Sequence, residues 1–539
     1  MRPLAPRTPR ASLPAGPSLG LLFLGFFPVG CDAPDVATSA PEPTVADSAG
    51  VQILRFPASA LEVRAPRQLA PEPSVRIGVV EGAAEYQWTR PTAALRLPDG
   101  GFAVAEGTPA EIRVFDAGGS FVRRIGRPGD GPGEFRSPQA LAAAPAPDGE
   151  EGLVAWDLRH RRRSHFRADG TLLSEATLQE LSPLRSISRV LLLPDGRLMV
   201  IGGTGGPDAV ANRGQAREPL EIRAIEAPTG AGTGGGNRSA PAGPDRSAAG
   251  GPESLRIGPL LGTTQGDERE VITESDAGGN MMSISISSQW YWGRLYTWAT
   301  PTGVWAADRV GMEVRHYRAD GGLDRVIRVD GTGPRATRAL VDSFEAAEVA
   351  RWERQMGDDL TEEIRTMIRE HMADRDYPET FPAMDAVFAD VHGNPWIGLP
   401  NPPSPSLMTS AFPEVPRWLV FGGAPGSAAA AAGSRSPPAG TSAPPAAAAG
   451  SSAPAVSLHL LGVIHLPPGS HPLWADGDGV LLIRIDPDLG VPYIEWFDWV
   501  DRPDLPDEPD PQDRQARNTM SPVIIGSLTR VHVAPYKWP

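Results

Sequence analysis

The chain has 539 residues, with 60 glycines, 59 prolines and a formal net charge of −15. That acidity argues against a nucleic-acid partner, because holding a phosphate backbone takes a basic field. The length allows two to four domains, although repeat-built β folds use far more than 150 residues as one unit, and the glycine and proline content calls for abundant turns.

At the N-terminus, Arg2, Arg7 and Arg10 precede an apolar run, Leu19 to Phe27 (LGLLFLGFF), followed by PVGC at Pro28 to Cys31. A helix needs about 20 residues to span a bilayer, and this run is far shorter. A basic stretch, a short apolar core and a processing site are the parts of an export signal. Val29, Gly30 and Cys31 resemble the lipobox of bacterial lipoprotein signals, with Pro28 where leucine is usual. The resemblance implies lipid attachment at Cys31 and a membrane-anchored place at the cell envelope. Cys31 is the only cysteine, so no intramolecular disulfide can form. Residues 1–31 are therefore expected to be a signal segment. Residues 32–73 read as a polar, Pro/Ala-rich tether leading into an N-terminal strand.

From Ser74 the chain repeats itself. FAVAEGTPAEIRVFDAGGSF (Phe102 to Phe121), LVAWDLRHRRRSHFRADGTL (Leu153 to Leu172) and VWAADRVGMEVRHYRADGGL (Val304 to Leu323) share one pattern. Each has a short apolar strand ending in an acid, an aromatic nine positions later, then alanine and glycine. The trios are Glu106, Phe115, Gly119; Asp157, Phe166, Gly170; and Asp308, Tyr317, Gly321. Alternation such as Ile112 and Val114 around Arg113, broken by turn glycines, marks antiparallel strands. Further units are recovered at RVLLLPDGRLMV with EIRAIEA, at FADVHGNPWIG with RWLVFGG, and at GVLLIRI with YIEWFDWV. That makes six units, each too small to bury both faces unless neighbours stack around an axis.

Two low-complexity tracts, 229–251 and 424–450, follow the same strand of their units and read as loops without the apolar content to fold. Residues 337–372 have helical spacing: Leu340, Phe344, Glu348, Trp352 and Met356, then Leu360, Ile364, Met367, Ile368 and Met372. They are expected to form a helical hairpin whose apolar stripe packs on the body. An acidic, Pro-rich tail occupies 501–539.

The stretch RPGDGPGEFRSP, with Gly129, Gly131, Gly133, Phe135 and Pro138, and the strand Ile112 to Asp116 resemble the repeat of six-bladed β-propellers of the NHL and TolB-like kind. The resemblance implies an all-β fold, a six-bladed propeller over 74–500, closed by an N-terminal strand. GVQILRF (Gly50 to Phe56) and SVRIGVV (Ser74 to Val80) compete for that place, and the second lies directly before the first unit. The glycines lack the lysine and hydroxyl of a phosphate loop, so RPGDGPGEF is expected to carry the chain from one blade to the next.

Glu106, Asp157, Asp308 and Asp390 recur at strand ends. In lactonase-like propellers, acids near the axis hold a divalent cation, and calcium would need six to eight converging oxygens. The plainer alternative is that each acid caps its own turn, with Asp390 in a different turn from the rest. Arg159, Arg161, Arg162 and Arg163 form the one basic patch, able to dock an anion or polysaccharide or to stand solvated in a loop. His459, His465 and His471 stand six apart, a spacing that can place two on one strand face, but Pro467 and Pro468 interrupt the third, so structural histidines are favoured over a zinc site. DGDG at Asp476 to Gly479 reads as a turn. No nucleophile elbow or other catalytic motif is present. The sequence thus favours a non-catalytic binding or scaffolding module with a monomeric body and a protein or glycan ligand. A metal-dependent hydrolase or lyase with its site in the channel is the alternative.

Overall fold

The computed structural model describes residues 40–146, 149–205, 214–227, 253–275, 281–287, 294–309, 311–356, 361–373, 377–400, 415–423, 458–486 and 489–501. The signal segment with Cys31, the start of the tether, both low-complexity tracts and the tail beyond Asp501 lie outside them.

Strand dominates the described residues, and the alternating pattern explains why. In Phe102–Gly107, Phe102 and Val104 pack to one side while Ala103 and Ala105 pack to the other, and the whole strand is buried. A short run apolar on both faces is stable only between two layers.

Such strands form antiparallel meanders that follow one another along the chain, labelled A to F here. A comprises Pro91–Arg96, Phe102–Gly107, Ala110–Phe115 and Phe121–Ile125. B comprises Pro138–Ala143, Gly152–Asp157, Arg162–Arg167 and Leu172–Leu178. C comprises Ser186–Leu192, Leu198–Gly203, Gly214–Glu226 and Glu253–Ser275. D comprises Leu295–Ala299, Gly303–Asp308, Glu313–Arg318 and Gly322–Val329. E comprises Ala386–Ala389, Pro395–Leu399, Arg417–Gly423 and Leu458–His465. F has Ser470–Ala475, Gly479–Ile485 and Pro492–Asp501, and borrows Val75–Ile77 from the N-terminal region.

Each meander packs face to face on the next. Ile112, Phe135 and Phe166 join A to B, and Trp156, Leu178 and Val200 join B to C. Ile201, Ile222 and Tyr317 join C to D; Trp305, Ile327, Ile397 and Phe421 join D to E; Phe388, Trp396, Leu482 and Phe497 join E to F. Phe102, Phe115, Ile483 and Trp496 then join F back to A. The first strands of successive meanders are neighbours in the same order. Sheets stacked radially in this way are the arrangement of a β-propeller.

Of the two competing N-terminal segments, Val75–Ile77 pairs with F, Ile77 opposite Ile494 and Val75 opposite Trp496. Val51–Phe56 has a different place: it lies parallel to the outer strand of D, with Thr44–Ser48 paired outside it. Leu54 and Phe56 are buried there in the D–E core, so the stretch read as a tether holds the paired strands Thr44–Ser48 and Val51–Phe56.

Three features depart from a plain meander. The outer strands of B and C pair in parallel, Ala176–Leu178 against Glu253–Leu255. The last two strands of C run past their meander, and Met281–Ser287 pairs on the extension. Between D and E stand two helices, α1 (Arg338–Met356) and α2 (Glu362–Ala373). Val341 and Phe344 of α1 pack on Phe381 of the returning chain, with Tyr377 beside them. Among the described residues no helix is long and apolar enough to cross a membrane.

Candidate functional site

RPGDGPGEF joins the outer strand of A to the first strand of B, and its amides are spent. The Gly129 N–H donates to the Phe135 carbonyl (3.1 Å), Gly131 to Glu134 Oε2 (2.8 Å) and Gly133 to Glu175 Oε1 (3.0 Å). A phosphate cradle needs such groups free. Gly126, at φ +73°, opens the loop because a Cβ there would meet the Phe135 ring at 2.3 Å.

The acids at strand ends do not converge. Glu106, fully buried, accepts N–H bonds from Thr89 (3.1 Å), Arg90 (2.7 Å) and Thr108 (2.9 Å). Burial pushes its carboxyl above the ordinary glutamate range, and these bonds oppose the rise. Asp157 accepts the N–H groups of Arg136 (2.6 Å), Ser137 (3.0 Å) and His160 (2.9 Å). Asp390, in the first turn of E and so at the opposite strand end, accepts from the His392 and Asn394 amides, both at 2.9 Å. Asp308 departs from this pattern: it pairs with Arg217 Nη1 at 2.6 Å. In C, Gly202 stands where the acid recurs, because a Cβ would lie 2.1 Å from the Ser186 carbonyl. Among the described residues no three His, Cys, Asp or Glu side chains are placed to hold a metal ion. Glu106, Asp157 and Asp390 thus spend carboxylate oxygens on backbone amides of their own turns, whereas calcium takes six to eight oxygens at one point.

The basic patch is divided rather than gathered. Arg162 opens a strand, not a loop, and is buried; its Nη2 donates to the Gly131 carbonyl (3.0 Å) and the Glu134 carbonyl, and Nε lies 3.2 Å from Glu175. Arg163 points to the other face, where burial lowers its pKa. Arg159 is exposed, and Arg161, at φ +49°, is the turn residue between two strands. His459 and His465 lie on the outer strand of E and His471 on the first strand of F.

The first strands, which face the centre, read PTAALR, PQALAA, SISRVLL, LYTWA, AVFA and SHPLWA. They contribute no carboxylate. Trp298 of D lies 4.8 Å from the Phe388 ring and 6.5 Å from His471, and Trp474 of F lies 5.9 Å from Trp496, so the aromatic side chains of these strands pack into the cores between meanders. At the D–E boundary a fully buried Arg309 pairs with Asp385, which precedes the first strand of E. Sequence reading missed that pair, although Arg309 directly follows the recurrent acid Asp308.

A cleft of about 310 Å³ lies beside A, lined by Ala84, Gln87, Thr89, Pro109, Glu111, Arg113 and Arg124. Arg113 donates to Glu111 (2.7 Å) and to the Gln87 carbonyl (2.7 Å), and its guanidinium lies over Trp88. Arg124 completes the cluster, 3.4 Å from Glu111. The cleft offers paired charges, the Gln87 amide and the Thr89 hydroxyl to a polar ligand.

The sequence matches no family model and no curated protein. Similar solved structures include a member of the DUF4221 family from Bacteroides vulgatus, at 7% identity and TM-score 0.34, covering 81% of this chain and 99% of that one. The PQQ-bound aldose sugar dehydrogenase of Streptomyces coelicolor overlaps at 13% identity and TM-score 0.32, covering 81% and 100%. Virginiamycin B lyase from Staphylococcus aureus overlaps at 11% identity and TM-score 0.20, covering 45% and 71%. Overlap this small carries no argument about activity; the architecture rests on the pairing and packing above.

Proposed function

We propose that the chain is an extracytoplasmic, lipid-anchored six-bladed propeller of the NHL and TolB-like kind that binds a protein or glycan at the cell envelope and performs no chemistry itself. The six-blade count is supported by the series of cores from A to F and back to A, and by Val75–Ile77 completing F. The anchor is supported by the sequence around Cys31. One observation carries the non-catalytic reading: the strands facing the centre supply no carboxylate, while Glu106, Asp157 and Asp390 are consumed in capping turns. A lactonase-like reaction in the channel would need the reverse.

Two measurements test this. Cys31→Ala should move the full chain from the membrane fraction to the soluble one, and an unchanged distribution would overturn the anchor. Metal analysis of the purified full chain, with melts in the presence and absence of chelator, tests the rest. A stoichiometric divalent ion whose removal lowers Tm would favour the metal-dependent alternative.

A further inference from the structure

The segment that closes F goes on to cover part of A. After Val75–Ile77 the chain makes the short turn Ala84–Tyr86 and passes through Gln87 and Thr89 to the first strand of A. Three charged side chains of A share one face beside this segment. Glu111 and Arg113 are two apart on the third strand, and residues two apart on a strand point the same way. Arg124 of the fourth strand stands directly opposite Arg113. With Gln87 and Thr89 they line the cleft of about 310 Å³.

Glu111 and Arg113 are held firmly, at 7% and 3% exposure. Arg113 Nε donates to Glu111 Oε1 at 2.7 Å, and its Nη1 donates to the Glu85 and Gln87 carbonyls at 3.2 and 2.7 Å. Trp88 supports the guanidinium from below, 4.8 Å from its ring centre. These bonds leave part of each group over. Among the described residues Glu111 Oε2 and Arg113 Nη2 make no hydrogen bond, nor does the Arg124 guanidinium, whose Nε lies 3.4 Å from Glu111 Oε1. The Thr89 N–H is spent on Glu106 and the Gln87 side-chain amide on the Gly82 carbonyl, while the Thr89 hydroxyl and the Gln87 Oε1 make none. Polar atoms of buried groups are rarely left unmatched by protein, water or ligand.

The unmatched set mixes acceptors, Glu111 and Gln87, with donors, Arg113 and Arg124, and adds a hydroxyl that does both. An anion would meet the Glu111 carboxylate, and a cation the two guanidiniums. Neighbouring hydroxyls on a neutral ring suit the set, because each donates and accepts at once. The volume lies at the small end of ligand pockets, about 300–1,000 Å³, room for one or two sugar rings. We propose that this cleft binds a neutral saccharide, with Glu111 accepting from one hydroxyl and Arg113 and Arg124 donating to its neighbours. The inference rests on the binding reading above and selects a glycan over a protein as the ligand.

The test is calorimetric titration of the full chain with glucose, galactose, N-acetylglucosamine and maltose, and separately with sodium glucuronate and sodium phosphate. The expected result is a one-site isotherm with at least one neutral sugar. Glu111→Gln should weaken it about tenfold, because a hydrogen bond to a charged group is lost, and Arg124→Gln and Thr89→Val about fivefold each. Arg318→Gln, which breaks an exposed pair with Asp320, should leave it unchanged. Should Glu111→Gln fail to fold, the other two variants give the reading. Sugar binding that persists in the folded cleft variants would overturn the assignment of this site and leave the glycan-binding reading standing elsewhere on the protein. No isotherm with any neutral sugar, or one with glucuronate or phosphate alone, would overturn the saccharide inference; the non-catalytic reading would still be decided separately by the metal analysis.

Discussion

Replacing Glu495 with glutamine should loosen the strand that completes meander F. Glu495 lies in Pro492–Asp501 with its side chain fully buried, and it accepts Arg76 Nε from the closing strand at 2.6 Å. Arg484, one strand inward, donates to the same carboxylate at 2.8 and 2.9 Å. Removing one partner of a buried ion pair costs about 3–5 kcal/mol when the survivor stays buried. Here the surviving guanidiniums are 46% and 26% exposed and can rehydrate. Glutamine also keeps a neutral acceptor, so the loss falls to about 2 kcal/mol. If Val75–Ile77 opens as a local unit, that loss accelerates its amide hydrogen exchange about 30-fold. Exchange read by mass spectrometry over 74–77 measures this directly. Arg76→Ala added to Glu495→Gln should cost only the stacking of Arg76 on Tyr493, about 0.5 kcal/mol. Wild-type exchange in the folded Glu495→Gln variant would refute the clasp. Acceleration spread evenly over all meanders would refute local opening.

Arg162→Ala removes the guanidinium that fills the RPGDGPGEF turn and leaves Glu175 without it; a loss of about 3 kcal/mol and faster proteolysis between Arg127 and Leu141 are expected, and an unchanged urea midpoint would contradict the assignment. Gly126→Ala forces a side chain into the Phe135 ring at a left-handed backbone position, costing about 2–3 kcal/mol by urea denaturation. His316 bridges Asp324 (2.6 Å) and Thr300 (3.1 Å) against Trp305, so His316→Phe should lower stability by about 1–3 kcal/mol. Burial raises the folded pKa of Glu106, so the folded state holds this proton to higher pH than the unfolded chain does. Its contribution to stability is therefore fully present below the ordinary glutamate range and falls as pH rises through the folded value. Stability curves of wild type and Glu106→Gln should diverge in that window, and parallel curves would refute the shift.

Much of this architecture is written locally. Strand period, turn glycines and the recurrent acid and aromatic locate the meanders, because a strand buried on both faces must be apolar at successive residues and a hairpin must reverse at a residue tolerating left-handed φ. Even there tertiary packing adjusts the detail: Gly119 and Gly170 take φ +81° and +92°, but in D that conformation falls to Gly322 rather than Gly321. The capping role of Glu106, Asp157 and Asp390 was legible as one of two readings, since an acid repeated once per unit serves something repeated once per unit.

What the sequence by itself determined about this protein is thus its unit of construction, a short β-meander repeated along the chain. Only the tertiary structure decided which N-terminal segment closes F, that Val51–Phe56 lies on D, that Arg162 is buried while Arg163 faces away, and that Arg309 meets Asp385 between D and E. These depend on contacts between residues far apart in the chain. Strand alternation fixes which face a side chain takes, but only the packing of one sheet on the next fixes what it meets there.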